Sequence, residues 1–211
     1  MTALSLLGTD DWPDDKIRAV LGRAAELKAG AAGASFAGKN LIMVFLNPSL
    51  RTRTSFEVAM ARHGGHAVVL EPGRGAWTME TRSGVVMDGE AVEHIVEAAR
   101  VLGRYGEMVA VRAFPSADTW AEARKDEVVH AFAEHAGVPV INMESARRHP
   151  CQGLADALTI SEHLGEQTRG KRVVLSWAWH PRPLPTAVPA SAAIAAARLG
   201  MDVVISRPPG Y

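Results

Sequence analysis

Cysteine is nearly absent: Cys151 is the one thiol in 211 residues. It excludes an intrachain disulfide and suits a reducing compartment, so a cytoplasmic setting is the default expectation. Excess charge is missing too, since 23 Lys and Arg balance 23 Asp and Glu. A neutral chain gives no reason to expect nucleic acid or an anionic membrane as a partner. Long apolar runs are lacking; "LIMVFL" and "VPVINM" are too short to span a bilayer. The opening "MTALSLLGTDDWPDD" has no basic start and no long apolar core, so no leader peptide is expected. Histidines at metal-ligand spacing are also wanting. His63 and His66 are near each other without suitable companions, so no metal is expected. "GRG" at Gly73–Gly75 does not have the helix-opening spacing of a nucleotide loop, and "SWAW" in a neutral chain reads as core or interface.

What is present is alternation. "DDKIRAVLGRAAELKAG" places Ile17, Val20, Leu21, Ala24 and Leu27 at helical intervals behind two acids. An apolar strand, Leu41–Leu46, leads into a helix from about Thr52 to His63, and His66–Leu70 is a second strand. "GEAVEHIVEAARVLGRY" predicts a helix with Val92, Ile95, Val96, Ala99 and Leu102 on one face. Strand Met108–Phe114, helix Thr119–Gly137 and strand Val138–Met143 complete a first unit. After the polar "SARRHP" the cycle restarts: helix Gln152–Gly165, strand Lys171–Trp179, helix Ala187–Gly200 and strand Asp202–Ser206. Near-continuous apolar strands joined by helices predict α/β architecture with two parallel-sheet domains. The expected bounds are 1–147 and 148–211. The second domain is incomplete on this reading, because two clear strands cannot cover both faces of a parallel sheet. Another chain or a longer protein would have to complete it.

In such folds ligands bind beyond the carboxyl ends of the strands. There the first strand delivers Ser49, Leu50, Arg51, Thr52 and Arg53, the third ends at Arg112, and the fourth ends at Glu144 with His149 and Gln152 close behind. A helix opening among Ser49–Thr54 offers unpaired N–H groups to an anion, and arginine adds permanently charged forked donors. The plain alternative is that Ser49 or Thr54 caps a helix, with Glu57 completing a capping box, and that the arginines are solvated.

"SLRTRTSFE" resembles the carbamoyl-phosphate loop of the aspartate and ornithine carbamoyltransferase superfamily, and "HPCQGLADALT" resembles its second motif about a hundred residues on. "GGHAVVL", "VMDG", "EHIVEAARVLGRY", "VRAFP" and "PVINME" are similar to the branch acting on N-acetylornithine or N-succinylornithine. The resemblance implies transfer of the carbamoyl group of carbamoyl phosphate to an N-acylated ornithine, giving N-acylcitrulline in arginine biosynthesis, without metal or organic cofactor. It implies that Ser49, Leu50, Arg51, Thr52 and Arg53 hold the phosphate and that Arg112 bridges phosphate and carbamoyl oxygens. Thr52 and His149 would donate to the carbamoyl oxygen and Gln152 would hold the nitrogen, with Pro150 and Cys151 lining the same site. Trp77, on a Gly-rich loop, matches a residue reaching a neighbouring subunit's site in a homotrimer; alternatively it folds back on its own domain. Glu144 matches a contact to the acylornithine; alternatively it pairs with Arg147 or Arg148. As a nucleophile Cys151 has no task, since the acceptor amine attacks.

Two departures stand out. Val92 takes the place of a glutamate found in the acetyl-specific enzymes. A carboxylate there would repel a succinyl carboxylate, and valine removes that repulsion; otherwise Val92 is core on its helix. Further strands and acceptor-binding lysines expected of the family do not occur before Tyr211, so a fragment or a form with impaired turnover is expected. Ornithine itself as acceptor, and a non-catalytic carbamoyl-phosphate-binding or oligomerising module, are the alternatives.

Overall fold

The computed structural model describes residues 5–114, 119–165, 167–181 and 185–208. Pro115 of "VRAFP" and residues 209–211 lie outside them. In chain order come a 3-10 turn (Thr9–Asp11), α1 (Asp14–Lys28), β1 (Asn40–Phe45), α2 (Arg51–Arg62) and β2 (His66–Leu70). Then follow β3 (Met79–Glu80), β4 (Glu93–His94), α3 (Ile95–Tyr105), β5 (Met108–Arg112), α4 (Trp120–Ala123), α5 (Glu127–His135) and β6 (Val140–Glu144). The last elements are α6 (Pro150–Leu164), β7 (Arg172–Ser176), α7 (Ala187–Arg198) and β8 (Asp202–Ser206). Two compact units result: Met1–Leu7 with Gly33–Ala146, and Gly8–Ala32 with Arg147–Tyr211.

The first unit is built on a parallel sheet in the order β2-β1-β5-β6. Five of the six β1 residues are buried, which requires cover on both faces. Period-2 alternation divides them. Ile42 and Val44 join Val109, Val111, Ile95, Ala99, Val129 and Phe132 on the side of α3 and α5. Leu41, Met43 and Phe45 join Ala110, Met143 and Met60 on the side of α2. Gly103 in α3 allows the closest helix approach, for a Cβ there would lie 1.8 Å from the Ala136 carbonyl oxygen.

Three sequence expectations change here. The helix read as Gly89–Tyr105 starts only at Ile95, because Glu93 and His94 pair with Met79 and Glu80 and His94 Nδ1 accepts from the Val96 N–H at 3.2 Å. Val92 therefore lies before the helix and is 67% exposed, so its reading as helical core is overturned. The helix read as Thr119–Gly137 is interrupted at Asp126, which takes left-handed angles (φ 51°, ψ 39°). Strand β5 stops at Arg112, two residues early, where a register shift bends its pairing with β6.

In the second unit α6 and α7 pack closely, Gly153 meeting the Ser191 backbone. Pro189 is tolerated because it sits in the first turn of α7, where N–H groups have no intrahelical partner. Strands β7 and β8 pair in parallel as a two-stranded sheet. One face carries Val174 and Val204, both exposed; the other, with Val173, Leu175 and Val203, faces α6 and α7 across a cavity of about 280 Å³. The chain spans too little sheet here for two-sided cover, as the strand count foretold. Among the described residues no helix is long and apolar enough to cross a membrane.

Candidate active site

The strand order creates the site of the first unit. The chain leaves β1 towards β2 on one side, then crosses to β5 on the other. Between β1 and β5 the connections depart in opposite directions, opening a crevice at the carboxyl ends where ligands of α/β sheets bind. Ser49 and Leu50 follow β1, Arg51–Arg53 form the first turn of α2, and Arg112 ends β5.

Ser49, one residue before the N-cap Leu50, accepts through its Oγ from the Thr52 N–H at 3.3 Å. The Thr54–Glu57 capping box does not form, since the Thr54 hydroxyl donates back to the Leu50 carbonyl at 2.9 Å. Leu50 is 83% exposed, an unusual position for leucine that puts the loop tip in solvent. Arg51 is exposed and Thr52 half-buried. Arg53 is already engaged, with Nε 3.4 Å from Glu57 and Nη1 3.3 Å from Glu71. Asn47, which the sequence reading missed, ties the loop to the neighbouring strand by accepting from the Phe114 N–H at 2.7 Å. Its signal was an Asx residue directly after a buried strand.

Arg112 is the deepest cation of this edge, its side chain 13% exposed. Its Nη1 donates to Glu144, 11% exposed, and its guanidinium lies over the Phe114 ring, 5.1 Å from the centroid. The Nε–H is buried and has no partner among the described residues. Arg148 donates to both carboxylate oxygens of Asp10, at 2.9 and 2.6 Å. The sequence could not give the Arg112–Glu144 pair, since it depends on strand adjacency. Trp77 is 60% exposed, with its Nε1 donating to Glu93 at 2.9 Å.

His149, Pro150, Cys151 and Gln152 belong to the second unit. His149 precedes α6 and its N–H donates to Ser191 Oγ at 2.8 Å, while Pro150 occupies the first helical turn, where its fixed φ suits the helix. Gln152 donates to Asp156 at 2.8 Å. Burial pushes the Cys151 thiol up to about 11, the protonated and unreactive form. Among the described residues no group of three or more His, Cys, Asp or Glu could hold a metal ion.

Residues 5–162 match the family model for the carbamoyl-phosphate-binding domain of aspartate/ornithine carbamoyltransferases. The chain belongs to this family. An N-acetylornithine carbamoyltransferase of Xanthomonas axonopodis is 50% identical over the whole of this chain and 62% of its own length. An N-succinylornithine carbamoyltransferase of Bacteroides fragilis is 42% identical over 82% of this chain and 54% of its own. A crystal structure of an N-acetyl-L-ornithine transcarbamylase variant, one glutamate replaced by valine, superposes with TM-score 0.92 at 48% identity, covering all of this chain and 63% of that one. That structure holds carbamyl phosphate and N-succinyl-L-norvaline. The chain thus spans about three-fifths of the length of the relatives it matches.

Proposed function

We propose that this chain serves carbamoyl transfer: carbamoyl phosphate plus the side-chain amine of an N-acylated ornithine gives N-acylcitrulline and phosphate, a step of arginine biosynthesis in the cytoplasm. The observation that carries the reading is Arg112, a largely buried guanidinium at the β1/β5 switch point whose Nε–H has no partner among the described residues, beside the segment Ser49–Arg53 that opens α2. In this reading residues 1–147 are the carbamoyl-phosphate-binding domain and 148–211 the start of the ornithine-binding one.

The chemistry follows from charge. The amine lone pair forms a bond to the carbamoyl carbon, negative charge gathers on the carbonyl oxygen, and the carbon–oxygen bond to phosphate then breaks as the amine loses a proton. Arg112 and Thr52 donate to the oxygen, and Ser49, Leu50, Arg51 and Arg53 hold the departing phosphate. Loss of one such donor costs about 3 kcal/mol of transition-state stabilisation, roughly a hundredfold in rate. The roles of His149, towards the carbamoyl oxygen, and Gln152, towards its nitrogen, rest on the motif alone. So do Pro150 and Cys151 as lining residues.

Arg53 keeps its place in the cradle only by exchanging Glu57 or Glu71 for phosphate. Both ion pairs are long and part-exposed, which makes them weak competitors. Glu144 contacts the acceptor in this reading. Val92 favours N-succinylornithine over N-acetylornithine, supported by its exposure and by the relative that holds a succinyl ligand with valine in place of glutamate. A homotrimer with sites at subunit boundaries is supported by Trp77, exposed after a Gly-rich turn. Calorimetry with carbamoyl phosphate, followed by a citrulline-product assay with ornithine, N-acetylornithine and N-succinylornithine, tests the reading. Binding and turnover with an acylated acceptor support it. Binding without turnover on any acceptor assigns the chain to a non-catalytic module, and absence of binding refutes it.

A further inference from the structure

The interruption at Asp126 is the least expected feature of the first unit. Among the described residues Asp126 is the one non-glycine with positive φ, a conformation that disfavours side-chain-bearing residues relative to the right-handed region. It stands at the N-cap of α5, where aspartate ordinarily accepts from the first turn of its own helix. Here it makes no such bond. Its carboxylate instead turns inward, where the residue is 7% exposed. Oδ2 accepts from Ser145 Oγ at 2.7 Å and Oδ1 from the Ala146 N–H at 3.0 Å. Ser145 Oγ in turn accepts from Asn142 Nδ2 at 3.0 Å, and the same amide donates to the Leu7 carbonyl at 2.9 Å.

These buried bonds clamp the backbone on both sides of Glu144. The register shift between β5 and β6 lies at the same place: Val111 pairs with Asn142, and Arg112 then pairs with Glu144. Met143 is skipped, so the Glu144 carboxylate comes to hold Arg112 Nη1. One end of the guanidinium is thereby fixed while the Nε–H has no partner among the described residues. A buried carboxylate that abandons its own helix cap, in a strained backbone conformation, to tie down that turn calls for a reason beyond the stability of α5.

We infer that Asp126 is a positioning residue: through Ser145 and Ala146 it holds the turn carrying Glu144, and through Glu144 it aims Arg112 at the anion. The inference rests on the proposed carbamoyl-phosphate site and names how that site is kept in shape. The chain of contact is Asp126, Ser145 and Ala146, Glu144, Arg112; Asp126 itself touches no substrate.

The test uses the full chain with Asp126→Ala, Asp126→Asn and Glu144→Gln, and the pair Asp126→Ala with Glu144→Gln. Calorimetry reads the Kd for carbamoyl phosphate, melting reads stability, and nitrogen-15 NMR reads the Arg112 Nε–H, assigned by its loss in Arg112→Lys. Asp126→Ala should weaken binding roughly tenfold, about the worth of one charge-assisted hydrogen bond made poorly. Asp126→Asn keeps an acceptor for the Ala146 N–H, so it should retain much of the affinity and serves if the alanine variant fails to fold. The double variant should bind no more weakly than Glu144→Gln alone. Lowered melting with an unchanged Kd, or additive losses in the double variant, would overturn the inference. If the unaltered chain binds no carbamoyl phosphate, the functional reading fails, and the NMR signal still decides this one. A shifted or broadened Arg112 Nε–H in the ligand-free Asp126 variants upholds positioning, and an unmoved one sinks it.

Discussion

Gly103 and Gly22 both sit inside helices, and the same substitution to alanine should change stability in opposite directions. Alanine gains about 1 kcal/mol over glycine in a helix interior from backbone entropy alone. At Gly22, on the exposed face of α1, a Cβ meets nothing within 4 Å. Nothing offsets the gain there, so Gly22→Ala should stabilise α1 by about 0.5–1 kcal/mol. At Gly103 the Cβ would stand 1.8 Å from the Ala136 carbonyl oxygen, 2.7 Å from its carbon and 3.2 Å from its Cα. An ordinary contact needs roughly 3.5 Å, so α3 and the end of α5 must part by more than an ångström. The obstacle is backbone, which has no rotamer to change, and Ala136 itself belongs to the main core. Overpacking of this kind costs about 1–3 kcal/mol, and the full upper range is expected where backbone must move. After the propensity gain, Gly103→Ala should destabilise the first unit by about 2 kcal/mol, roughly thirtyfold in its folding equilibrium. Because the two glycines lie in different units, a single global melt would blur the result. Hydrogen exchange followed peptide by peptide reads α3 and α1 separately. Exchange in α3 should quicken in Gly103→Ala, and exchange in α1 should slow in Gly22→Ala. Unchanged or slower exchange in α3 would refute the packing argument.

Val92→Glu should lower the use of N-succinylornithine by about tenfold or more, through repulsion of like charges, and leave N-acetylornithine nearly unchanged. The ratio of kcat/KM for the two acceptors measures this, and an unaltered ratio would remove Val92 from the acyl site. Cys151, its thiol pushed up to about 11 by burial, should resist alkylation at pH 8. Relative to an ordinary cysteine it carries roughly two hundredfold less thiolate there, so a rate matching free thiol would show the site to be open. The hydrogen bonds from Arg148 hold the Asp10 carboxyl below its ordinary range. A depressed folded value means stability that is present above the unfolded value and lost as pH falls through the folded one. The melting advantage of the unaltered chain over Asp10→Asn should therefore be largest near neutrality and shrink below about pH 4; an advantage that grows in acid would contradict the pairing.

The residues of the candidate site could be picked out before any coordinates, because their signals are local. The proposed anion loop is marked by cationic and hydroxyl residues placed after a buried apolar run, and Arg112 and Glu144 by their positions at strand ends. Where the reading went astray, a distant partner intervened. Val92 fits the apolar face of a helix by spacing, yet Glu93 and His94 are drawn into pairing with β3, and the helix starts after them. Asp126 lies within a helical pattern, but two hydrogen bonds from the turn after β6 outweigh that local preference.

The sequence by itself determined the parallel α/β class, the order of strands and helices along the chain, and the family, since side-chain periodicity and contiguous motifs belong to neighbouring residues. Only the tertiary structure decided the strand order that sets the crevice between β1 and β5. It also decided the register shift that gives Arg112 to Glu144 and the clamp that holds them. Those depend on which strands lie side by side, and that is settled by burying both faces of one sheet at once, a condition that residues far apart in the chain must satisfy together.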